Sequence, residues 1–567
     1  MMRSRDGGSI LLLVLVAGLL SSGAGRVAAE GQVLSYNEVV ALARAYMDEE
    51  DGVRRAEILK KVEGWSERLD EIARALRPVP PADAPTGYLA CDRFTVPRIR
   101  ARMQRLLPIL PGPLPEGARA VVRDGRFSAV AENGDILWSR KHPHPAGPIP
   151  QLIPRAESDR RTAFRLQRGS PGAAATPDGI PAPAEEYLSW VLVPKDYDAT
   201  RAYALSIRLH GGGGTNAIDS AALGSETAAD RALAALPNNT IQVDLGTPKI
   251  APLKWSFPES EIHIQSVIEE YSTRYHIDPD RVFISGGSMG GIGSWWHAWR
   301  HGDRFALIAP VTGTWTAAYW PKLRGTLLYH LSGAYDSRMT RVDWARYGHE
   351  RMKALGIFHL DGEYPGGHIS NSSAGPQTRA IRELMRSARR DPYPPWACAV
   401  SPFTPPSSSG YPLYSGTDEE YVQRFSPQPY SFWVSVLEHG PEGIPVERLR
   451  TRFGYPQKFT PEREMMKAGA ADAENLGGNR FRVYTTNVRR FALWLHPKMG
   501  VDFARPVEIE VIERGVDPET LAEVERARHT VRVSAKPSLA AMLKYRGDRR
   551  DYGLIYHAAV EVAVGEQ

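Results

Sequence analysis

Cysteine is scarce in this chain of 567 residues, which contains only Cys91 and Cys398. Two thiols can supply neither the framework of a disulfide-rich scaffold nor a zinc site built from several thiolates. Two alternatives stay open: a single Cys91–Cys398 disulfide, which an oxidising compartment would allow, or two separate buried thiols. The chain must therefore rely on a hydrophobic core, and 42% of its residues are hydrophobic.

A marked excess of charge of either sign is also missing. The 70 Lys and Arg residues and the 65 Asp and Glu residues leave a formal net charge of +5. Spread over the whole chain, this charge gives no electrostatic basis for binding nucleic acid or an anionic membrane. We therefore expect neither as a partner.

The sequence has no apolar run of about 20 residues, the length that a membrane-spanning helix needs. Its N-terminal apolar stretch, Ile10–Leu20, follows Arg3 and Arg5 and is followed by the small residues Ala28 and Ala29. This pattern is typical of a cleavable signal peptide. It predicts an exported protein, secreted or periplasmic, with no stable membrane anchor.

Composition and periodicity divide the chain into six segments. Short apolar runs alternate with helix-like segments in the centre, which favours a mostly parallel sheet with helices on both faces, whereas period-two alternation near the C-terminus favours an antiparallel sandwich. The predicted segments are a signal peptide (1–29), a helical N-terminal region (30–111), a Pro- and Gly-rich connecting region with a possible hairpin (112–185), an α/β domain (186–398), a linker (399–412) and a C-terminal β-rich domain (413–567).

A Gly-x-Ser-x-Gly motif, Gly286–Gly290, directly follows the β-branched run that begins at Val282. A helix-like run, Ile292–Trp299, comes after it. A serine between a strand and a helix can sit on a sharp turn with its hydroxyl exposed, and glycines on either side leave room for so tight a bend. The motif predicts that Ser288 is a nucleophile.

A second glycine-rich turn, His210–Gly214, follows the apolar strand that ends at Leu209. In acyl-transfer hydrolases such a turn presents backbone N–H groups to the developing oxyanion. A phosphate-binding loop would instead require a Lys followed by Ser or Thr after the glycines, and here Thr215 and Asn216 follow. The turn therefore favours an oxyanion hole over a nucleotide site.

A serine nucleophile needs an imidazole as its base and a carboxylate to orient that imidazole. Asp336 comes just after a predicted strand, and His368 lies in a glycine-rich loop before the last helix of the central domain. The order Ser288, Asp336, His368 is that of the α/β-hydrolase triad. Asp361 remains an alternative acid.

The central segment resembles the α/β-hydrolase superfamily, in particular its branch of secreted esterases, polyhydroxybutyrate-depolymerase-like enzymes and predicted peptidases. The resemblance is carried by His210–Gly214, Tyr275–Gly291 and Asp303–Pro310. It implies an α/β-hydrolase domain in which Ser288 is the nucleophile, Asp336 the acid and His368 the base. It also implies an oxyanion hole formed by the N–H groups of Met289 and of Gly211 or Gly212.

Tryptophans follow the predicted catalytic strands, and we expect Trp315 and Trp320 to line the substrate pocket. Trp296 and Trp299 are expected in the core instead. His142 and His144 lie in a Pro-rich loop without nearby acids, so we assign no metal site, and the expected chemistry requires no cofactor.

These features predict an exported serine hydrolase acting on a small-molecule or polymeric carboxylic ester. Two alternatives stay open: a serine peptidase of the same fold, and a non-catalytic binding protein on a hydrolase scaffold. The peptidase is the weaker of the two enzyme hypotheses, because prolyl-oligopeptidase-type enzymes usually carry a long propeller before the catalytic domain. Residues 35–185 are too few and too helical for one.

Overall fold

A computed structural model gives the structure of the chain. It describes residues 34–49, 51–84, 87–95, 119–123, 126–130, 136–141, 186–211, 236–237, 239–245, 255, 258–314, 317–336, 342–368, 376–401, 429–449 and 461–565. The predicted signal peptide, much of the connecting region and most of the linker lie outside these residues. Within them, no helix has the length and apolar character needed to cross a membrane.

The helices come from three parts of the chain. They are α1 (Tyr36–Asp48), α2 (Gly52–Val62), α3 (Leu69–Ala75), α4 (Pro258–Arg274), α5 (Met289–His301), α6 (Val342–Ala354), α7 (Pro376–Ser387) and α8 (Leu539–Arg549). Short 3-10 turns lie at Gly302–Arg304, Trp320–Leu323 and Pro497–Met499.

The strands fall into two groups along the chain. The first contains β1 (Gly87–Thr95), β2 (Arg119–Arg123), β3 (Arg126–Val130), β4 (Ile136–Lys141), β5 (Glu186–Val193), β6 (Tyr203–Leu209), β7 (Thr240–Leu245), β8 (Ile277–Gly287), β9 (Leu307–Val311), β10 (Ala317–Ala318), β11 (Tyr329–Gly333) and β12 (Leu360–Tyr364). The second contains β13 (Trp396–Val400), β14 (Tyr430–Ser431), β15 (Val434–His439), β16 (Ile444–Leu449), β17 (Pro461–Met466), β18 (Ala470–Gly477), β19 (Arg480–Thr486), β20 (Val488–Leu495), β21 (Val507–Val516), β22 (Glu523–Val533) and β23 (Ala558–Ala563).

The central sheet has the order β1-β5-β7-β6-β8-β9-β11-β12. Strands β6 to β9, β11 and β12 pair in parallel, while β5 runs antiparallel to both of its neighbours. This order, with its second strand reversed, is that of the α/β-hydrolase fold. The predicted fold class is therefore confirmed.

Apolar side chains cover both faces of this sheet. On one face Leu205 and Ile284 pack in a large cluster with residues of α4 and α5, and on the other Phe283 and Leu307 pack with Ile381 of α7. Trp296 and Trp299 are each 1% exposed within the first cluster, as expected of core residues. Because both faces are covered, β7 and β11 are buried along their whole length and β6 and β9 at all but one position, which holds their carboxyl ends in place.

The C-terminal region contains two sheets that share one core. Their orders are β13-β18-β19-β21-β22 and β14-β15-β20-β23, and Trp433, Phe481 and Phe491 are fully or almost fully buried between them. This is the β-rich, sandwich-like arrangement that the period-two pattern predicts. The structure differs from the predicted boundary at residue 398, because Trp396–Val400 forms β13 and pairs with β18 of this region. Its Cys398 is a buried free thiol.

The N-terminal region is only partly helical. Helices α1, α2 and α3 pack against α8 in a separate apolar cluster. The structure differs from the helical prediction at Gly87–Thr95, which forms β1 and hydrogen-bonds to β5 at the edge of the central sheet. In the connecting region β2, β3 and β4 form a three-stranded antiparallel sheet, and the expected hairpin corresponds to β2 and β3.

A buried ion-pair network joins the α/β domain to the C-terminal region. Asp551 lies 2.9 Å from Arg390 Nη2 and 3.0 Å from Arg304 Nη1, and Arg390 also binds Asp280 at 2.8 Å. Burial alone would raise the pKa of Asp551, but the two guanidinium groups outweigh it and hold the pKa below its usual range. The carboxylate therefore balances two buried cations.

Asp551→Asn should lower the free energy of unfolding by about 3–5 kcal/mol, because it leaves both guanidinium groups buried without their shared carboxylate. The measurement is urea-induced unfolding at neutral pH. Asp196→Asn is the control, since Asp196 forms an ion pair with Arg201 and its side chain is 82% exposed. That change should cost less than about 1 kcal/mol. Equal losses in the two variants would contradict the importance of the buried network.

Candidate active site

Ser288 occupies a sharp turn between β8 and α5. Its φ and ψ are 56° and −114°, a backbone conformation that few non-glycine residues adopt. The Ser288 N–H donates to Val311 O at 2.9 Å, and its carbonyl accepts from Ile292 N–H at 2.9 Å. Two neighbouring elements thus fix the turn that presents the hydroxyl group.

The glycines around Ser288 lie where a side chain would have no room. A Cβ atom on Gly286 would lie 2.7 Å from Leu209 O and 2.7 Å from the carbonyl of Gly290, and a Cβ on Gly290 would come closer still to Leu209 O. A Cβ on Gly291 would lie 2.6 Å from Val311 O. The turn is therefore pressed against the carboxyl ends of β6 and β9.

Ser288, His368 and Asp336 meet at this end of the sheet. His368 Nε2 lies 2.8 Å from Ser288 Oγ, and His368 Nδ1 lies 2.8 Å from Asp336 Oδ2. A carboxylate can only accept, so Nδ1 carries the proton and Nε2 is left to accept from the serine hydroxyl. The side chains of Asp336 and His368 are 1% and 13% exposed. The structure thus brings together the three residues that the sequence predicts as a triad.

The loops that carry Asp336 and His368 are hydrogen-bonded to one another. Tyr335 N–H donates to Gly366 O at 2.9 Å, which joins the two loops, and within the second loop the Tyr364 hydroxyl donates to Gly367 O at 3.0 Å. A Cβ on Gly333 would lie 2.7 Å from Gly366 O, so the two loops are in close contact. Asp361, the alternative acid, binds His349 instead.

The expected oxyanion donors lie beside Ser288 as far as the structure describes them. A Cβ on Gly211 would be 3.8 Å from Ser288 Cβ, so this glycine borders Ser288. Met289 is the first residue of α5, where a helix N–H has no intrahelical acceptor and the helix dipole is positive. Gly212 lies outside the described residues.

Of the two tryptophans expected in the pocket, the structure describes only Trp320. Trp315 lies outside the described residues. Trp320 is 3% exposed, its indole N–H donates to Glu447 Oε2 at 2.7 Å, and its ring packs against Trp344 at 5.6 Å between centroids. The structure thus corrects the pocket prediction for Trp320, because a buried carboxylate from β16 draws this ring into a packed contact.

Sequence reasoning missed the loop after β9 as part of the site. Gly313 packs directly on the turn, since a Cβ there would lie 2.5 Å from Ile292 N and 2.7 Å from Gly291 C. His330 of β11 hydrogen-bonds to the backbone of Gly313 and packs edge-on against Trp295 at 5.4 Å. Burial lowers the pKa of His330 to about 3, so its ring is neutral. The Thr-Gly-Thr sequence at 312–314 is the signal that could have pointed to this loop.

Among the described residues, Asp70, His496 and His557 form the one group of three potential metal ligands within 4.8 Å of each other. Lys498 N–H donates to His496 Nδ1 at 3.0 Å, which requires that Nε2 carries the ring proton. Asp70 Oδ1 accepts from this nitrogen at 3.1 Å and from His557 Nε2 at 3.0 Å. Because a metal would need the Nε2 lone pair, this arrangement fits hydrogen bonds and not a metal.

No protein-family model and no curated protein matches the chain. Similar solved structures include a thermostable esterase (16% identity, TM-score 0.30, covering 48% of this chain and 76% of that chain) and a ferulic acid esterase (17%, 0.30, 35% and 92%). An acylaminoacyl peptidase from Pyrococcus horikoshii is also similar (15%, 0.28, 36% and 40%). The strand order of this chain and its turn at Ser288 are by themselves those of the α/β-hydrolase fold, which confirms the resemblance at the level of the fold.

Gly286→Ala should destabilise the protein by about 1–3 kcal/mol, because the added methyl group meets three backbone atoms that cannot move independently. Gly287→Ala is a matched control on the same strand, since its Cβ would meet only Val311 O at 4.0 Å. Thermal and urea-induced unfolding of both variants make the comparison. A stable Gly286→Ala protein would show that the turn is packed less tightly than described.

Proposed function

We propose that this chain is an exported serine hydrolase that cleaves carboxylic esters through an acyl-enzyme intermediate. The observation that carries the proposal is the pair of 2.8 Å contacts linking Ser288 Oγ, His368 and Asp336. A serine hydroxyl is a weak nucleophile until a base within hydrogen-bond reach accepts its proton. The three residues stand in the required order, with the required donors and acceptors.

In the proposed reaction, Ser288 Oγ attacks the ester carbonyl while its proton moves to His368 Nε2. Asp336 remains ionised, holds the ring through Nδ1–H and stabilises the imidazolium that forms. His368 then gives the proton to the departing alcohol, which leaves Ser288 acylated. A water molecule that loses its proton to the same nitrogen releases the acid and restores the serine.

The negative charge of the tetrahedral intermediate forms next to the start of α5. There the N–H of Met289 and backbone N–H groups of the turn at Gly211 and Gly212 are the proposed donors. Such preorganised donors are worth about 10²–10³ in turnover each. The chemistry uses no metal or cofactor, because the proton acceptor, the nucleophile and the charge stabilisation all come from the chain.

Export is proposed from the sequence of residues 1–29, whose basic start, apolar core and small residues suit a signal peptidase. The proposed partner is a small-molecule or polymeric ester.

Ser288→Ala should abolish covalent labelling by a fluorophosphonate probe and lower ester hydrolysis by at least about 10³-fold, because it removes the hydroxyl that accepts the acyl group in the proposed reaction. Labelling is read by gel fluorescence, and circular dichroism checks that the fold is unchanged. Ser332→Ala is the control, because it also removes a serine hydroxyl, but one on β11 that contacts His330 instead of His368. Labelling that persists in Ser288→Ala would assign the nucleophile elsewhere.

Wild-type protein should hydrolyse p-nitrophenyl butyrate with a kcat/KM well above that for aminoacyl p-nitroanilides. The physical basis is that an alcohol leaves from the tetrahedral intermediate more easily than an amine. Faster cleavage of the anilides would favour the peptidase alternative. Absence of both activities at millimolar substrate, together with binding of a glycan or polymer, would favour a non-catalytic binding protein.

A further inference from the structure

Two histidine rings form a row of short contacts beside β12, the strand that leads to His368. His359 Nδ1 lies 2.7 Å from Ile357 O, and His359 Nε2 lies 2.7 Å from His349 Nδ1. At the far end, His349 Nε2 lies 2.7 Å from Asp361 Oδ2. His349 belongs to α6, His359 immediately precedes β12, and Asp361 is in β12.

The three contacts from Ile357 O to Asp361 need more protons than two neutral imidazole rings can supply. A backbone carbonyl can only accept, so His359 carries a proton on Nδ1, and a carboxylate accepts from His349 Nε2. A neutral ring has one N–H group, so both protons are then used. Two bare ring nitrogens would face each other at 2.7 Å with lone pair against lone pair. A third proton between them turns this repulsion into a hydrogen bond.

We propose that His349 and His359 share a third proton, and that this cationic pair positions β12 and the loop carrying His368. The role of the pair in catalysis rests on the proposed function, whereas the shared proton does not. Both histidines act through the strand and touch neither Ser288 nor the reacting atoms. They are therefore positioning residues.

Titratable and charged groups on β12, α6 and β11 face the pair. On β12, Asp361 and Glu363 face the pair, and Arg346 of α6 binds Glu363 through two contacts of 2.7 Å. On β11, the nearby groups are Tyr329 and the neutral His330. Of these groups, Asp361 is the one that His349 contacts directly.

The strand that the pair holds determines where the base loop lies. Strand β12 pairs in parallel with β11, and Ala334 N–H donates to Tyr364 O at 2.9 Å at the end of this pairing. The next hydrogen bond, from Tyr335 N–H to Gly366 O, is already in the base loop. Asp361 and Glu363 attach β12 to His349 and Arg346 of α6, and β12 is the last strand of the sheet, so loss of the shared proton should loosen this edge strand and the loop that follows.

Hydrogen–deuterium exchange between pH 5 and 9, corrected for the intrinsic exchange rate, tests the proposal directly. In wild-type protein, protection of the amides in 360–366 and of Ala334 and Tyr335 should fall about tenfold as the pH rises and the proton is lost, since one charge-assisted hydrogen bond disappears. In His359→Gln this step should vanish, because a neutral amide donates its own hydrogen to His349 Nδ1. Protection that does not change with pH in wild-type protein overturns the proposal, and so does a step that persists in His359→Gln.

His439→Gln is the matched control, because His439 Nδ1 also contacts a backbone carbonyl, that of Gly440, at 2.9 Å. It should retain the wild-type step in hydrogen exchange.

The positioning role is tested by kcat for p-nitrophenyl butyrate. The ratio of kcat in His359→Gln to kcat in wild type should change with pH across the same interval, whereas a merely structural role gives a constant ratio. A wild-type exchange step without any ester hydrolysis would reject the proposed function and leave the shared proton standing.

Discussion

Close contact between backbone atoms at the carboxyl ends of β6, β8 and β9 is the constraint on which the site depends. Gly286 and Gly290 bring the turn against Leu209 O, and Gly291 brings it against Val311 O. Side chains at these positions would push the strands apart. Because the contacts involve backbone only, the position of Ser288 Oγ is fixed by the sheet itself, and the unusual φ of Ser288 is stabilised by its surroundings.

The same sheet sets the distance between Asp336 and His368. Asp336 and His368 follow β11 and β12, which are neighbours in the sheet and lie about 4.8 Å apart. Their loops are joined by backbone hydrogen bonds, so neither residue can move far without the other. Burial of Asp336 would be unfavourable for an isolated carboxylate, and the hydrogen bond from His368 helps to make it tolerable. The hydrogen bonds between the two loops and the hydrogen bond from His368 to Asp336 therefore stabilise the same arrangement.

Local sequence patterns were enough to predict Ser288, Asp336 and His368, but not the strands and side chains packed around them. The strand, glycine turn and helix around Ser288 are encoded within a few residues, and the order of Asp336 and His368 follows from the fold. The pairing of β13 with β18 and of β1 with β5 joins segments about 70 to 100 residues apart, and no periodicity within a segment reports its distant partner. The burial of Trp320 likewise depends on Glu447, far along the chain. Contacts of this kind come from tertiary packing alone.

Glu447 shows how the C-terminal region supports the candidate site. Its carboxylate accepts from Trp320 Nε1 at 2.7 Å and from the Tyr347 hydroxyl at 2.8 Å, and it pairs with Arg351 at 3.0 Å. These three partners lie on the 3-10 turn after β10 and on α6, both parts of the α/β domain. Helix α6 in turn contacts β12, which leads to His368. A buried carboxylate from β16 thus helps to place α6, against which β12 rests, so the arrangement of the candidate site depends on both regions.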